Sequence, residues 1–311
     1  MRKPLVRVAL AASLALFFAA CGDKQPETAT APASAPAAKF DGPDGAIQQS
    51  VVLFKAGDFD GLMKHAMPPA EYAKAKADWG KDKQPVTDED RQKFAETMGK
   101  LTEADAETKI YAEIEPQLKA FDAQYQQQIP MYVAMGSGYL QGIVQQNKDM
   151  SDAEKQQALA AINAFAGWVQ KTRFTDPDSV KKVIAVASKT ARSLNLKSAD
   201  EAHDLNWDQA MEKARLGFQG VKDALAVYGL SLDQTLDSVK SEVLSNDGKT
   251  AKVKVSYTLF DTPMNVETEM VNVDGRWYGK HALEKAKDAA AEDSSASEAP
   301  AEAPADAPEK D

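Results

Sequence analysis

Near Leu236 the hydrophobic pattern changes period, and that change constrains the fold more than any other feature of the chain. Before it, Trp207, Met211, Ala214, Phe218, Val221, Leu225 and Tyr228 recur at steps of three and four residues, and Gly229 follows. Such spacing puts one stripe of a helix toward a core, and glycine is the usual left-handed stop. After it, Ala251, Val253, Val255, Tyr257 and Leu259 alternate with Lys252, Lys254, Ser256 and Thr258. Period two reads as a strand with one covered face. Asn246-Asp247-Gly248 and Asp261-Thr262-Pro263 supply turns on either side, and Asp274-Gly275 leads into Arg276-Trp277-Tyr278. In the strand between, the apolar positions run 264, 266 and 270 and then slip to 271 and 273, which predicts a bulge. The expected fold class is therefore α+β. A predominantly helical N-terminal two-thirds is followed by a C-terminal four-stranded antiparallel meander packed on helices, because so small a sheet is not stable alone. The folded domain is expected over residues 41–287, helical over 41–235 and sheet over 236–280.

Several helix boundaries are legible. Ile47, Val51 and Phe54 form a stripe that Gly57-Asp58 interrupts, and a short second helix is expected to follow. Ser151 with Glu154 and Ser198 with Glu201 have the spacing of capping boxes, and Asp176-Pro177 puts proline at a first helical position. Past Ser151, Leu159, Ile162, Phe165, Ala166 and Val169 define an apolar stripe.

One stretch stands apart. Ala123 to Asn147 is twenty-five residues without a charge, and it holds Met131, Met135 and Tyr139 with Gly136, Gly138 and Gly142 among them. Pro130 and recurrent glutamines argue against a membrane span. Its composition predicts a central helix buried by its neighbours. Two alternatives use the same residues: an interface with a partner or second copy, where small residues four apart let helices approach, or a lining for an apolar ligand, with adaptable methionines. In the ligand version the pocket lies between the helices and the sheet face of Val253, Val255 and Tyr257.

The two ends of the chain do not read as core. Arg2, Lys3 and Arg7 precede the uncharged run Val8 to Ala20, the pattern of a signal peptide over residues 1–20. Phe18-Ala19-Ala20-Cys21 resembles the lipobox of bacterial lipoproteins, with Phe18 standing where that motif usually has leucine. The resemblance implies cleavage before Cys21 and lipid on its sulfur, and Cys21 is the only cysteine in the chain. Gly22 after it, with the aspartate one place later, implies the outer membrane, facing the periplasm. Residues 21–40 form an Ala/Pro-rich tether; its nineteen residues beyond Cys21 reach up to roughly 60 Å if fully extended as polyproline. Residues 288–311, with eight acidic residues against one lysine, read as a disordered, solvating tail.

A net charge of −10 argues against nucleic acid as a partner and against electrostatic adhesion to anionic lipid. No nucleophile elbow, zinc-binding helix, phosphate loop or dinucleotide fingerprint is present, so no catalytic residue, metal or cofactor is assigned. The nearest approach to a metal cluster is Asp200, His203 and Asp204 beside Glu201, which a helix start favours without any metal. The AGDFDGL segment after the first helix and the terminal VDGRWYGK look like pieces of the nuclear-transport-factor-2-like superfamily, which implies helices in the mouth of a curved sheet. The long helical stretch between them departs from that pattern. The expected function is a lipid-anchored, non-enzymatic envelope protein, held to the membrane by its lipid, whose domain binds a protein partner or an apolar ligand. The alternative is an envelope enzyme with an unrecognised acid–base site, which would need His65, His203 or His281 in a cleft.

Overall fold

A computed structural model describes residues 41–284 apart from 82 and 149, and leaves the side chains of 123–127 undescribed. The expected signal peptide, Cys21, tether and acidic tail lie outside the described residues. The chain runs through α1 (Gly42–Ala56), α2 (Phe59–Ala66), α3 (Pro69–Ala77), α4 (Asp88–Thr102), α5 (Ala106–Gln146), α6 (Asp152–Lys171), α7 (Pro177–Leu194), α8 (Ala199–His203), α9 (Trp207–Val227) and α10 (Leu232–Asp237). It then enters β1 (Lys240–Asn246), β2 (Thr250–Leu259), β3 (Thr262–Val273) and β4 (Arg276–Gly279). The strands pair antiparallel in the order β1-β2-β3-β4. The fold class is α+β, helical first and sheet last.

The sheet packs one face on helices; on the other, Tyr278 of β4, opposite Val271, is buried as well. Ala251 and Val253 of β2 and Met270 of β3 pack on Ala46 and Ile47 of α1, with Val255 and Trp277 alongside. Further along the same face, Leu259, Met264 and Tyr257 meet Ala160, Ala161 and Ala164 of α6. The opposite face carries charges, with Lys252 paired to Glu267 and Lys280 to Glu269 at 2.5 and 2.6 Å. The register of β2 with β3 is continuous from Thr250 opposite Val271 to Leu259 opposite Thr262, so β3 has no bulge. Val271 and Val273 are simply apolar residues on the other face. The irregularity falls in β1, between Val243 and Ser245.

The helices are held by their ends. Gly57 closes α1 at φ 69°, its N–H and that of Asp58 taking the carbonyls of Phe54 and Leu53. The Ser151–Glu154 and Asn206–Gln209 capping boxes open α6 and α9, and Thr87–Asp90 opens α4. Ser198 caps α8 through the Glu201 N–H, but Glu201 returns its carboxylate to the Lys197 N–H instead of to Ser198. α9 ends one residue before Tyr228; the N–H groups of Gly229 and Leu230 close on the carbonyls of Ala226 and Leu225, a Schellman arrangement.

The stripe of α9 is used in part. Trp207 is buried and Phe218 joins Phe54 and Phe59 in an aromatic cluster beside Leu236, with ring centroids 5.0 to 6.3 Å apart. Val221 and Ala214 face solvent, while Gly220 and Lys222 are buried. Lys222 donates to the Lys55 carbonyl at 2.9 Å and to Asp233 at 2.7 Å, tying α9 to the end of α1 and to α10. The stripe of α6 is also used in part: Leu159, Ile162, Ala166 and Val169 are partly covered, Ala160, Ala161 and Ala164 face the sheet, and Phe165 is half exposed against Trp168 and Phe260.

Candidate functional site

The first part of α5 is fastened by charge. Glu107 meets Arg192 of α7 at 3.0 Å, Glu113 meets Lys100 of α4 at 2.9 Å, and Asp122 meets Arg173 at 2.6 Å. Hydrogen bonds from Arg173 and Thr175 hold the Asp122 carboxyl below the usual carboxylate range. Beyond Asp122 the charges stop, and α5 continues to Gln146 as the outer member of a hairpin with α6. Gln141 donates to Asn163 across that hairpin at 3.0 Å.

At 100° per residue, Ile129, Val133, Ser137 and Val144 share the side of α5 that is partly covered, and Leu140 on that side stays 45% exposed. The other side presents Met131, Tyr132, Met135, Tyr139 and Ile143, all exposed; Met135 keeps 64% of its surface and Tyr139 keeps 72%. Gly138 and Gly142 lie on the same ridge. A Cβ built on Gly138 would meet nothing within 4 Å, and one on Gly142 only the Gln146 amide at 3.9 Å. The expectation of a helix buried by its neighbours is therefore corrected. α5 is apolar on both sides, and the domain covers one of them. Among the described residues no helix is long and apolar enough to cross a membrane.

The six residues singled out for a ligand or partner surface are not brought together. Met131, Met135 and Tyr139 form the exposed ridge. Val253 is fully buried, and it packs with Val255 on α1, while Tyr257 packs on α6. That sheet face is filled by protein side chains.

A second feature was not legible in the sequence. An open cleft of about 750 Å³ lies between the α3–α4 connection and the start of α9, lined by Trp79, Lys83, His203 and Trp207 among others. Trp79 and Trp207 meet edge to face at 5.5 Å. The cations of the cleft are already engaged. Lys83 donates to the carbonyls of His203 and Leu205 and lies 4.9 Å over the Trp79 ring; Lys76 pairs with Asp208, and Lys81 with Asp78. His203 holds Asp204 through Nδ1 at 2.7 Å, and its Nε2 is buried without a hydrogen-bond partner. Asp200 is bound by the Arg91 guanidinium, whose hydrogen bond lowers its pKa. Among the described residues no group of three or more His, Cys, Asp or Glu side chains is placed to hold a metal. His65 lies elsewhere, its Nε2 2.8 Å from the Ala46 carbonyl, and His281 is exposed beside Glu284. The sequence signal for this cleft was two tryptophans and a lysine far apart in the chain, which no local pattern connects.

No protein-family model, no curated protein and no solved structure matches this chain.

Proposed function

We propose that this chain is a lipid-anchored envelope protein without catalytic function, held to the outer membrane through Cys21 and binding a protein partner through the outer ridge of α5. One observation carries the binding half: Met131, Tyr132, Met135, Tyr139 and Ile143 are exposed together on a helix with no charge between Asp122 and Lys148. A helix that is apolar all round belongs in an interior, and a monomer seldom leaves more than a few hundred Å² of contiguous apolar surface in water. Between the two binding versions, the exposure of this ridge supports the partner, since the sheet face on which an apolar ligand would sit is occupied by α1 and α6. The anchoring half is supported by the basic start, the short apolar run and Cys21 after Ala19-Ala20. The enzyme alternative would have to use His203 and Asp204. Their cleft holds no cation free of a partner among Lys76, Lys81 and Lys83.

Each half has its own test. Protein extracted from membranes should begin at Cys21 and carry acyl mass, and Cys21→Ala should release it to the soluble fraction or block its processing. An unmodified thiol on native material refutes the anchor. A photo-crosslinking residue at position 135 or 139 in intact cells should give a protein adduct, and one at the exposed Lys93 of α4 should not. No adduct at either α5 position refutes the binding face.

A further inference from the structure

We propose that the occupant of the α5 ridge is a second copy of this chain, bound about a two-fold axis with the two helices crossing at Gly138 and Gly142. This rests on the binding reading above and names the partner. Three properties of the ridge point to it.

The first is electrostatic. The chain has a net charge of −10, so two copies repel wherever their charged surfaces meet. Residues 123–146 of α5 give roughly 36 Å of helix without a formal charge, several screening lengths at physiological salt. Two like-charged bodies can approach there without placing acid against acid. A lipid surface is served worse by the same residues, since helices that lie on membranes carry Lys or Arg along their polar edge and this stretch has neither.

The second is shape. Gly138 and Gly142 are one turn apart on the exposed ridge, and the space where their side chains would stand is open. Small residues at this spacing let two helix backbones come close, with large side chains packing to either side. Here Met135 and Tyr139 are those side chains. A two-fold contact uses the same patch on both subunits, so the ridge supplies both sides.

The third is area. A whole aromatic side chain offers ~150–250 Å² and methionine or isoleucine somewhat less, so two tyrosines, two methionines and an isoleucine, each about half to three-quarters exposed, present on the order of 500–600 Å² per copy. Doubled, this passes the ~1,000 Å² that a specific interface needs.

The test uses the full chain in its own membrane and oxidative cross-linking of introduced thiols. Gly138→Cys, Tyr139→Cys and Gly142→Cys are made singly, and the 138 and 142 variants are also coexpressed, which covers both parallel and antiparallel crossings. Gly99→Cys on α4 is the control, since it too adds a side chain into open space. The expected result is a disulfide-linked product of twice the chain mass from the α5 positions and none from Gly99→Cys. Adding Met135→Glu should reduce that product about ten-fold, because a charge would be buried without a partner, while the circular dichroism of the chain stays unchanged. No doubled product from any α5 position overturns the proposal, as does a product that Met135→Glu leaves intact. A cross-linked product of another mass overturns it and keeps the partner-binding reading. A bimane label on Met135→Cys that brominated lipid quenches overturns it in favour of the bilayer. The unsubstituted chain reports on the anchor separately: a doubled product there means that the Cys21 thiol is free.

Discussion

Gly220 of α9 packs against Thr190 of α7, and an added methyl group there tests the frame that holds α5. A Cβ on Gly220 would lie 2.3 Å from Thr190 Oγ1, 2.8 Å from its Cγ2 and 3.0 Å from its Cβ. Rotation of the threonine moves the first two atoms. The third is fixed to the α7 backbone, so the helices must part. Overpacking of this kind costs typically 1–3 kcal/mol. Replacing glycine by alanine inside a helix returns about 0.8–1.0 kcal/mol of propensity. Three contacts at or under 3.0 Å put the cost in the upper half of that range, ~2–3 kcal/mol, so the net expectation for Gly220→Ala is a loss of about 1–2 kcal/mol. At ~2–4 °C per kcal/mol for a domain of this size, Tm should fall by roughly 2–8 °C. In a Thr190→Ala background two of the three contacts vanish and the propensity gain remains. The 3.0 Å contact with the fixed Cβ stays, so there the loss should shrink by about 1 kcal/mol, and that difference is the coupling between the two sites. Thermal melts of the four proteins in this cycle, followed by circular dichroism, measure it. If Gly220→Ala raises Tm in the unsubstituted background, or if the coupling lies within about 0.3 kcal/mol of zero, α7 and α9 do not meet as described. The outcome bears on the ridge, because Arg192 of α7 holds the base of α5 through Glu107 and the Glu103 carbonyl.

Lys222→Met should lower stability by about 1–2 kcal/mol with an unchanged urea m-value, because it keeps the packed stem but leaves the Lys55 carbonyl at the end of α1 without its donor; Asp233→Asn should cost less, since its carboxylate is half exposed. Phe54→Ala should cost about 3–5 kcal/mol, since Phe54 is 2% exposed at the centre of the ring cluster, and a smaller loss by urea unfolding would mean that Phe59 and Phe218 close over the space. Asp60 should contribute to acid sensitivity. Burial pushes its carboxyl up, but hydrogen bonds from Tyr72 and Trp207 and the charges of Lys76 and Lys64 outweigh it, and the net shift is downward. A depressed folded-state pKa gives stability that is complete above the unfolded value of ~3.9 and is lost as pH falls through the folded one. The Tm advantage of the unsubstituted chain over Asp60→Asn should therefore shrink below about pH 4, and parallel Tm curves from pH 6 to pH 2 would refute the assignment.

The sheet was readable because its information is local. Alternation from Ala251 to Leu259 assigns a face, and the Asp247 carboxylate, accepting from the Lys249 and Thr250 N–H groups, builds the turn from adjacent residues. The misplaced bulge shows where that reading ends. Apolar Val271 and Val273 suggested a slip because parity was judged from one strand, whereas register is a property of two. The stripe of α6 missed part of the contact: Leu159, Ile162, Ala166 and Val169 are partly covered, Phe165 is not, and the residues on the sheet lie beside them. Periodicity weighs large residues, but close contact with the sheet selected Ala160, Ala161 and Ala164, which are small enough to let the helix approach. On α9 the buried Gly220 and Lys222 were invisible to a hydrophobic pattern, since one is buried for lack of a side chain and the other for its two hydrogen-bond acceptors.

The candidate site follows the same logic one level up. A run from Ala123 to Asn147 without a charge says that water is meant to be excluded from both sides of the helix, and sequence alone cannot say which element does it. Burial by neighbours is the natural expectation when many helices precede a sheet. The architecture removes it by using those helices elsewhere: α7 pairs with α9, α4 sits at the base of α5 with α8 on α4, and α1 and α6 cover the sheet. Among the described residues α6 is the helix seen to pair along the uncharged part of α5, and one helix can cover one side. The remaining side is left exposed by the described residues. The same glycines that would be a defect in a solvent-exposed helix, each costing about 1 kcal/mol against alanine, become useful when a second backbone must come close. That conjunction of an apolar ridge, an absence of charge and open glycines on one side of α5 is what supports the proposal of a binding face over a loosely packed edge.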